Sequence, residues 1–180
     1  MKLDRDKLRT LIHYISWRAR DPRTLGSVKL QKILWYSDLT CYLRLGTPIT
    51  GATYVKQAFG PVAREAARAV TELEENGNLV ERPAFTGDYR KRDRKREYIA
   101  MSRPNLALFT SEEISVVEEV MDEICFQHTA ASISEASHDE IWGLAEIGEE
   151  IPYETVFVAS RAEITEADIE WAKSVIAAAA

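Results

Sequence analysis

The stretch "LGSVKLQKILWYSDLTCYLRLG", Leu25 to Gly46, constrains the fold more than any other part of the chain. Leu30, Ile33, Leu34, Ser37 and Cys41 fall on one stripe at helical spacing, and Val28, Trp35, Leu39 and Tyr42 widen it. A helix apolar around so much of its circumference has to be enclosed by other elements, so it is expected at the centre of the molecule. Ser27 is the expected N-cap, and Gly46 stands where helices commonly end in a left-handed residue.

The flanking segments supply elements to enclose it. Residues 4–19 carry Leu8, Leu11, Ile12, Ile15 and Ala19 at helical spacing, and Asp21-Pro22 ends that helix because the residue before proline avoids the α region. Ala52 to Phe59 reads as extended. Gly60-Pro61 reads as a turn, with Pro61 opening a helix over 61–75 whose inner face is Val62, Ala66, Ala69, Val70 and Leu73. Leu79-Val80 and Tyr98-Ile99 anchor a hairpin around the turn residues Thr86-Gly87-Asp88. Thr110 and Glu113 form a capping box, followed by Ile114, Val117, Val120, Met121, Ile124 and Cys125. "TAASISEASHDEIWGLA" breaks into two short helical pieces, and Thr165 caps a last helix with Ile169, Ala172, Val175 and Ile176 inward. The expected fold class is mainly α (α+β): a single compact helical domain of about six to eight helices with one β-hairpin near residues 79–101. Residues 1–160 form the helical domain and 161–180 a C-terminal helix.

A chain of 180 residues can bury a sizeable core. "MKLDRDKLRTL" lacks the continuous apolar run of a signal peptide, and no window approaches the roughly 18 apolar residues of a membrane span. The expected location is the cytoplasm, away from membranes, with Cys41 and Cys125 as free buried thiols.

The residues offer little chemistry. Cys125 and His128 are three apart at a helix end, but no paired spacing joins them to Cys41, His13 or His138 as a metal site. Ser137-His138-Asp139 has the residue types of a triad, yet sequence neighbours do not converge into one, and helix capping explains Ser137 and Asp139 better. The eight glycines form no phosphate-binding pattern. The chain is expected to be no enzyme and to need no cofactor.

Charge is more informative. Residues 1–100 hold 20 Lys/Arg against 12 Asp/Glu, whereas 101–180 hold 3 against 17. Either the acidic part docks on the basic one, or the molecule shows faces of opposite sign that steer partners. The run "YRKRDRKREY" concentrates Arg90, Lys91, Arg92, Arg94, Lys95 and Arg96 near the hairpin tip. Three helices followed by a basic hairpin is the element order of a winged helix-turn-helix, whose wing touches phosphate. Against that, helix 61–75 offers Arg64 and Arg68 beside Glu65, Glu72, Glu74 and Glu75, with no Asn or Gln for base readout.

Several motifs occur in a recognisable order. "VKLQKILWYSDLTCYLRLG", with Lys29, Leu30, Gln31 and Lys32, is followed by Pro48-Ile49-Thr50-Gly51 and by "YVKQAFGPV", with Phe59, Gly60 and Pro61. "SEASHDEIW", with His138 and Trp142, and "EEIPYE" complete the series. Over about residues 8–158 the chain resembles the SocA-like Panacea-domain antitoxins, a phage-associated family. The basic hairpin is longer than in the shorter members, and the helix from Thr165 lies beyond the shared core.

The resemblance implies an antitoxin that neutralises, by direct binding, a cognate toxin protein encoded by a neighbouring gene. It also implies a bacterial energy-dependent protease as a further partner, with DNA a secondary one under the winged-helix alternative. It carries over no catalytic residues; its motif residues are expected to be scaffold, with Trp142 as an apolar anchor. Many toxins are basic, so Glu112, Glu113, Glu118, Glu119, Asp122 and Glu123, expected along the exposed side of one helix, are the first candidate contact patch. The basic run Arg90 to Arg96 is the second, for an acidic toxin or for nucleic acid. The terminal "SVIAAAA" resembles alanine-ended degradation tags, with Ala179-Ala180 as the signal, although alanine also simply favours helix.

Overall fold

A computed structural model of the chain describes residues 1–84, 95–138, 142, 145–155 and 157. α1 (Arg5–Arg18) begins where extended Asp4 accepts the Lys7 N–H at 3.0 Å, and it buries Leu8, Leu11, Ile12 and Ile15. A short turn leads to α2 (Pro22–Leu45), with Asp21 as N-cap and Pro22 in the first turn, where its missing N–H has no partner to lose. The long helix expected to start at Ser27 is thus preceded by a short helical turn from Pro22. A break does occur beside that serine, at Gly26, whose φ of 67° and ψ of 164° suit a residue without Cβ. Gly46 closes α2 in the left-handed region, as the sequence suggests.

Next come β1 (Tyr54–Gln57) and β2 (Gly60–Ala63), an antiparallel pair in which Lys56 faces Pro61 and Gln57 faces Gly60. This hairpin replaces the expected turn and early helix start at Gly60-Pro61, and α3 (Ala66–Glu75) starts five residues after Pro61. Proline suits either a helix's first turn or the outer edge of a strand, so its presence alone does not choose between them. α3 still buries Ala66, Ala69, Val70 and Leu73.

β3 (Leu79–Pro83) and β4 (Arg96–Ala100) form the expected hairpin, with Leu79 opposite Ala100 and Val80 opposite Ile99. α4 (Ser111–Gln127) opens on the Thr110–Glu113 capping box, and α5 (Ala130–Ala136) follows. A 3₁₀ turn spans Tyr153–Thr155. Among the described residues there are thus five α-helices and two antiparallel strand pairs, a mainly α fold with a small β part.

α2 is central, as its wide apolar stripe requires. It packs against α1, α4, α5, β2 and β4, and its Leu30, Ile33, Leu34 and Cys41 are wholly enclosed. The hairpin tip at 85–94, Asp139, the last helix from Thr165 and the alanine-rich end lie outside the described residues, as do Arg90, Lys91, Arg92 and Arg94. No helix among the described residues is long and apolar enough to cross a membrane.

Candidate functional site

The motif segments, far apart in sequence, meet around the β1–β2 hairpin. β1 gives its outer edge to residues 148–151: the Lys56 N–H donates to the Glu149 carbonyl at 2.8 Å, and the Ile151 N–H to the Tyr54 carbonyl at 2.8 Å. β2 gives its outer edge to α2. Lys32 Nζ donates to the Pro61 carbonyl at 2.9 Å, and Gln31 Oε1 accepts the Ala63 N–H at 2.9 Å. Two side chains of one helix thus cover an edge that would otherwise hold unpaired backbone groups. Pro61 has no N–H to leave unpaired there, which is why a strand tolerates it.

Lys32 is only 1% exposed, and burial pulls its ammonium down to about 7. Gly60 makes room for it. At φ 97°, a Cβ on Gly60 would sit 2.4 Å from Lys32 Nζ and 2.3 Å from Ser137 Oγ. Ser137 belongs to the end of α5, where its hydroxyl donates to the Ser134 carbonyl at 2.8 Å. It thus closes the C-terminal end of α5, where the sequence suggests a cap starting the helix that carries Trp142. The next motif residues continue the cluster: His138 stacks on Trp142 at 3.7 Å, Lys56 Nζ lies 3.9 Å above the Trp142 ring, and the indole N–H donates to the Gln57 carbonyl at 3.3 Å. Trp142 is half-buried, and anchors through its faces and its N–H as much as through apolar area.

A second buried charge on α2 went unnoticed in the sequence. Asp38 is fully enclosed, and accepts the Thr50 N–H at 2.7 Å, the Thr50 hydroxyl, the Tyr54 hydroxyl at 2.8 Å and the Tyr153 hydroxyl at 3.3 Å. Burial raises its carboxyl above the usual range, and the four donors oppose that rise. Thr50 lies in Pro48–Gly51 and Tyr153 in "EEIPYE", so Asp38 explains both motifs. An acidic residue in an otherwise apolar helix was the available signal; its partners, 12 to 115 residues away, were not.

Phe59 departs from the scaffold role expected of it. It is 66% exposed at the hairpin tip. With Lys29 it lines an open groove of about 990 Å³ between the start of α2, the hairpin tip and the end of α4. Lys29 is nearly buried, donating to the Cys125 carbonyl at 3.2 Å, and burial lowers its pKa. Leu30 sits in the core.

Of the six acidic residues singled out on α4, Glu112, Glu119, Asp122 and Glu123 lie on its exposed side as expected, whereas Glu118 is half-buried and Glu113 buried. Glu113 is buried, closing the capping box and binding Lys7 Nζ at 2.6 Å. Glu118 accepts from Tyr14 and is gripped by Arg18 at 2.7 Å, with Asp122 3.8 Å from the same guanidinium. Arg44 holds Glu119 at 2.7 Å. Glu112 and Glu123 are exposed. Much of this helix's acidity thus faces the basic first half of the chain, because α4 docks on α1 and α2. From the basic run, Lys95 Nζ reaches the Arg23 carbonyl at 3.5 Å and Arg96 lies 3.5 Å from Glu81.

Cys41 is enclosed and Cys125 half-buried, both thiols pushed up by burial, Cys41 to about 12. His13 Nε2–H donates to the Ser102 carbonyl at 2.9 Å, and His128 meets Ser132 at 3.2 Å. Among the described residues, no three His, Cys, Asp or Glu side chains gather as a metal site would need.

The family model described as "Antitoxin SocA-like, Panacea domain" matches residues 30–143. The chain belongs to this family. The matched Panacea span runs from Leu30 on α2 past Trp142, and so includes both buried charges and the hairpin they hold. The family is antitoxin-like and generally non-enzymatic. No curated protein and no solved structure matches the chain.

Proposed function

We propose that this Panacea-domain chain is an antitoxin that neutralises a cognate toxin protein, encoded by a neighbouring gene, by direct and stoichiometric binding. The family match over residues 30–143 carries this reading. The site is in keeping with it. Lys32 and Asp38, two ionisable groups of α2 perturbed by burial, are sealed from solvent and hydrogen-bonded to the scaffold, so they have no route to a substrate. Binding surfaces are what such a chain has to offer. A bacterial energy-dependent protease is the second partner of this reading, receiving the complex rather than reacting with it.

DNA recognition through a wing has less support. Residues 46–65, including a hairpin, separate α2 from α3, where a helix-turn-helix has a short turn. On α3, Arg68 is paired to Glu72 at 3.0 Å, and Glu72 also lies 3.7 Å from Arg9.

Co-expression tests the proposal. The product of the adjacent open reading frame is induced alone and then with this chain, following growth and co-purification. Growth arrest by the neighbour, relieved by this chain within an isolable complex, is the expected result. A harmless neighbour, or relief without a complex, would contradict it.

A further inference from the structure

We propose that the groove beside the Gly26 break is the toxin-docking surface, and that it takes an acidic segment of the toxin with an apolar side chain as its anchor. This rests on the antitoxin reading and adds the surface and the chemistry of the bound segment. The groove holds about 990 Å³, at the upper end of the range for ligand sites, and is open along one side, which suits a length of polypeptide. Leu25, Val28 and Phe59 supply apolar wall; Arg23, Lys29 and Lys95 supply charge.

Arg23 holds Asp21 at 2.7 Å, but the charge of the two lysines is poorly compensated. Among the described residues Lys29 and Lys95 bond only to backbone carbonyls, and the positive field of Lys95 acts on Lys29. On the neighbouring α1–α4 face, by contrast, Lys7, Arg18 and Arg44 each hold a carboxylate. A nearly enclosed ammonium with no acid is costly, and a carboxylate arriving from a partner removes that cost. Lys95 also belongs to a basic run, with Arg90, Lys91, Arg92 and Arg94 before it in sequence and Arg96 after it.

Phe59 provides the apolar half of the match. It is exposed, yet stands beside Gly60, which Lys32 and Ser137 hold from within. A large side chain presented on a fixed turn loses little freedom on binding. The surface continues past Thr24 and Cys125, shared with a second hollow where Phe126 is 79% exposed beside Arg18, Arg20, Asp21 and Asp122. Exposed aromatic residues and arginines are enriched at protein interfaces, and the lysines add the charge that selects an acidic partner. Nucleic acid fits less well, since its backbone needs a track of cations, whereas here the charge gathers around an apolar trough.

The test uses the full chain and the purified neighbour product. Lys95→Glu and Phe59→Ser alter exposed side chains, and unchanged melting curves verify that each variant is folded. Each is expected to weaken toxin binding at least about tenfold, with Lys95→Glu also flattening the salt dependence, while Glu123→Lys on α4 leaves affinity unchanged. Wild-type affinity in both groove variants would overturn the docking site and leave the antitoxin reading standing. If the wild-type chain does not bind the neighbour product, the antitoxin reading fails instead. The groove is then judged with a fluorescein-labelled peptide of alternating Glu and Leu and with a labelled DNA duplex. Saturable peptide binding lost in Lys95→Glu supports it; binding to DNA alone, or to neither, overturns it.

Discussion

Lys32 and Asp38 lie on the same helix and reach different motif segments, the first holding the β1–β2 hairpin and the second holding Thr50, Tyr54 and Tyr153. Burial has a measurable signature at Lys32. Its amine titrates near 7 when folded but at the ordinary lysine value of 10.5 when unfolded. Between those values the unfolded chain binds the extra proton, so this residue makes stability rise with pH. Wild type should therefore gain about 1–2 kcal/mol relative to Lys32→Met between about pH 7 and about pH 8.5, a comparison that cancels Asp38 and the thiols. Denaturant melts across that range measure it, and a difference independent of pH would contradict the assignment. Gly60 provides a steric test. Gly60→Ala drives a methyl against Lys32 and Ser137, and should cost about 3 kcal/mol or more. Gly46→Ala has a similarly positive φ but open space, and should cost only about 1–2 kcal/mol. Equal costs in urea denaturation would mean that backbone angle, not crowding, fixes Gly60.

At the level of elements, the sequence was readable wherever local pattern decides structure. The stripe on α2, the Thr110–Glu113 box and the Leu79-Val80 and Tyr98-Ile99 anchors all express themselves within a few residues. The β1–β2 hairpin was not readable, because what makes Gly60-Pro61 a strand edge is the reach of Gln31 and Lys32 from α2. The same limit applies to the partners of Glu113, Glu118 and Glu119 on α4, since Lys7, Arg18 and Arg44 come from helices 106, 100 and 75 residues earlier. Of the candidate site, the motif residues were identifiable but their convergence was not, and Asp38 was missed because its partners are all distant. The α1–α4 contact yields its own prediction. Glu118→Gln weakens the grip of Arg18 and should cost about 1 kcal/mol, falling as salt rises, whereas Glu123→Gln should stay within about 0.5 kcal/mol of wild type. Urea midpoints at low and high salt distinguish the two. Equal and salt-independent losses would remove the ion pair from the account.

For the whole molecule, the opposed charges of the two halves are in part an internal feature: α4 docks its acids on the bases of α1 and α2. The groove at the Gly26 break stays available, where among the described residues the lysines bond only to backbone carbonyls and Phe59 is exposed. Under the proposed antitoxin function this Panacea domain is a scaffold presenting a surface, with its buried ionisable groups holding structure rather than turning over substrate. Stoichiometry separates these two modes of action. Increasing amounts of this chain are added to a fixed amount of the neighbouring gene's toxin, well above their dissociation constant, and the remaining toxin activity is followed. The account predicts a linear fall that ends sharply at a fixed whole-number ratio. Complete inactivation by a small fraction of one equivalent, progressing with time, would show turnover and contradict it.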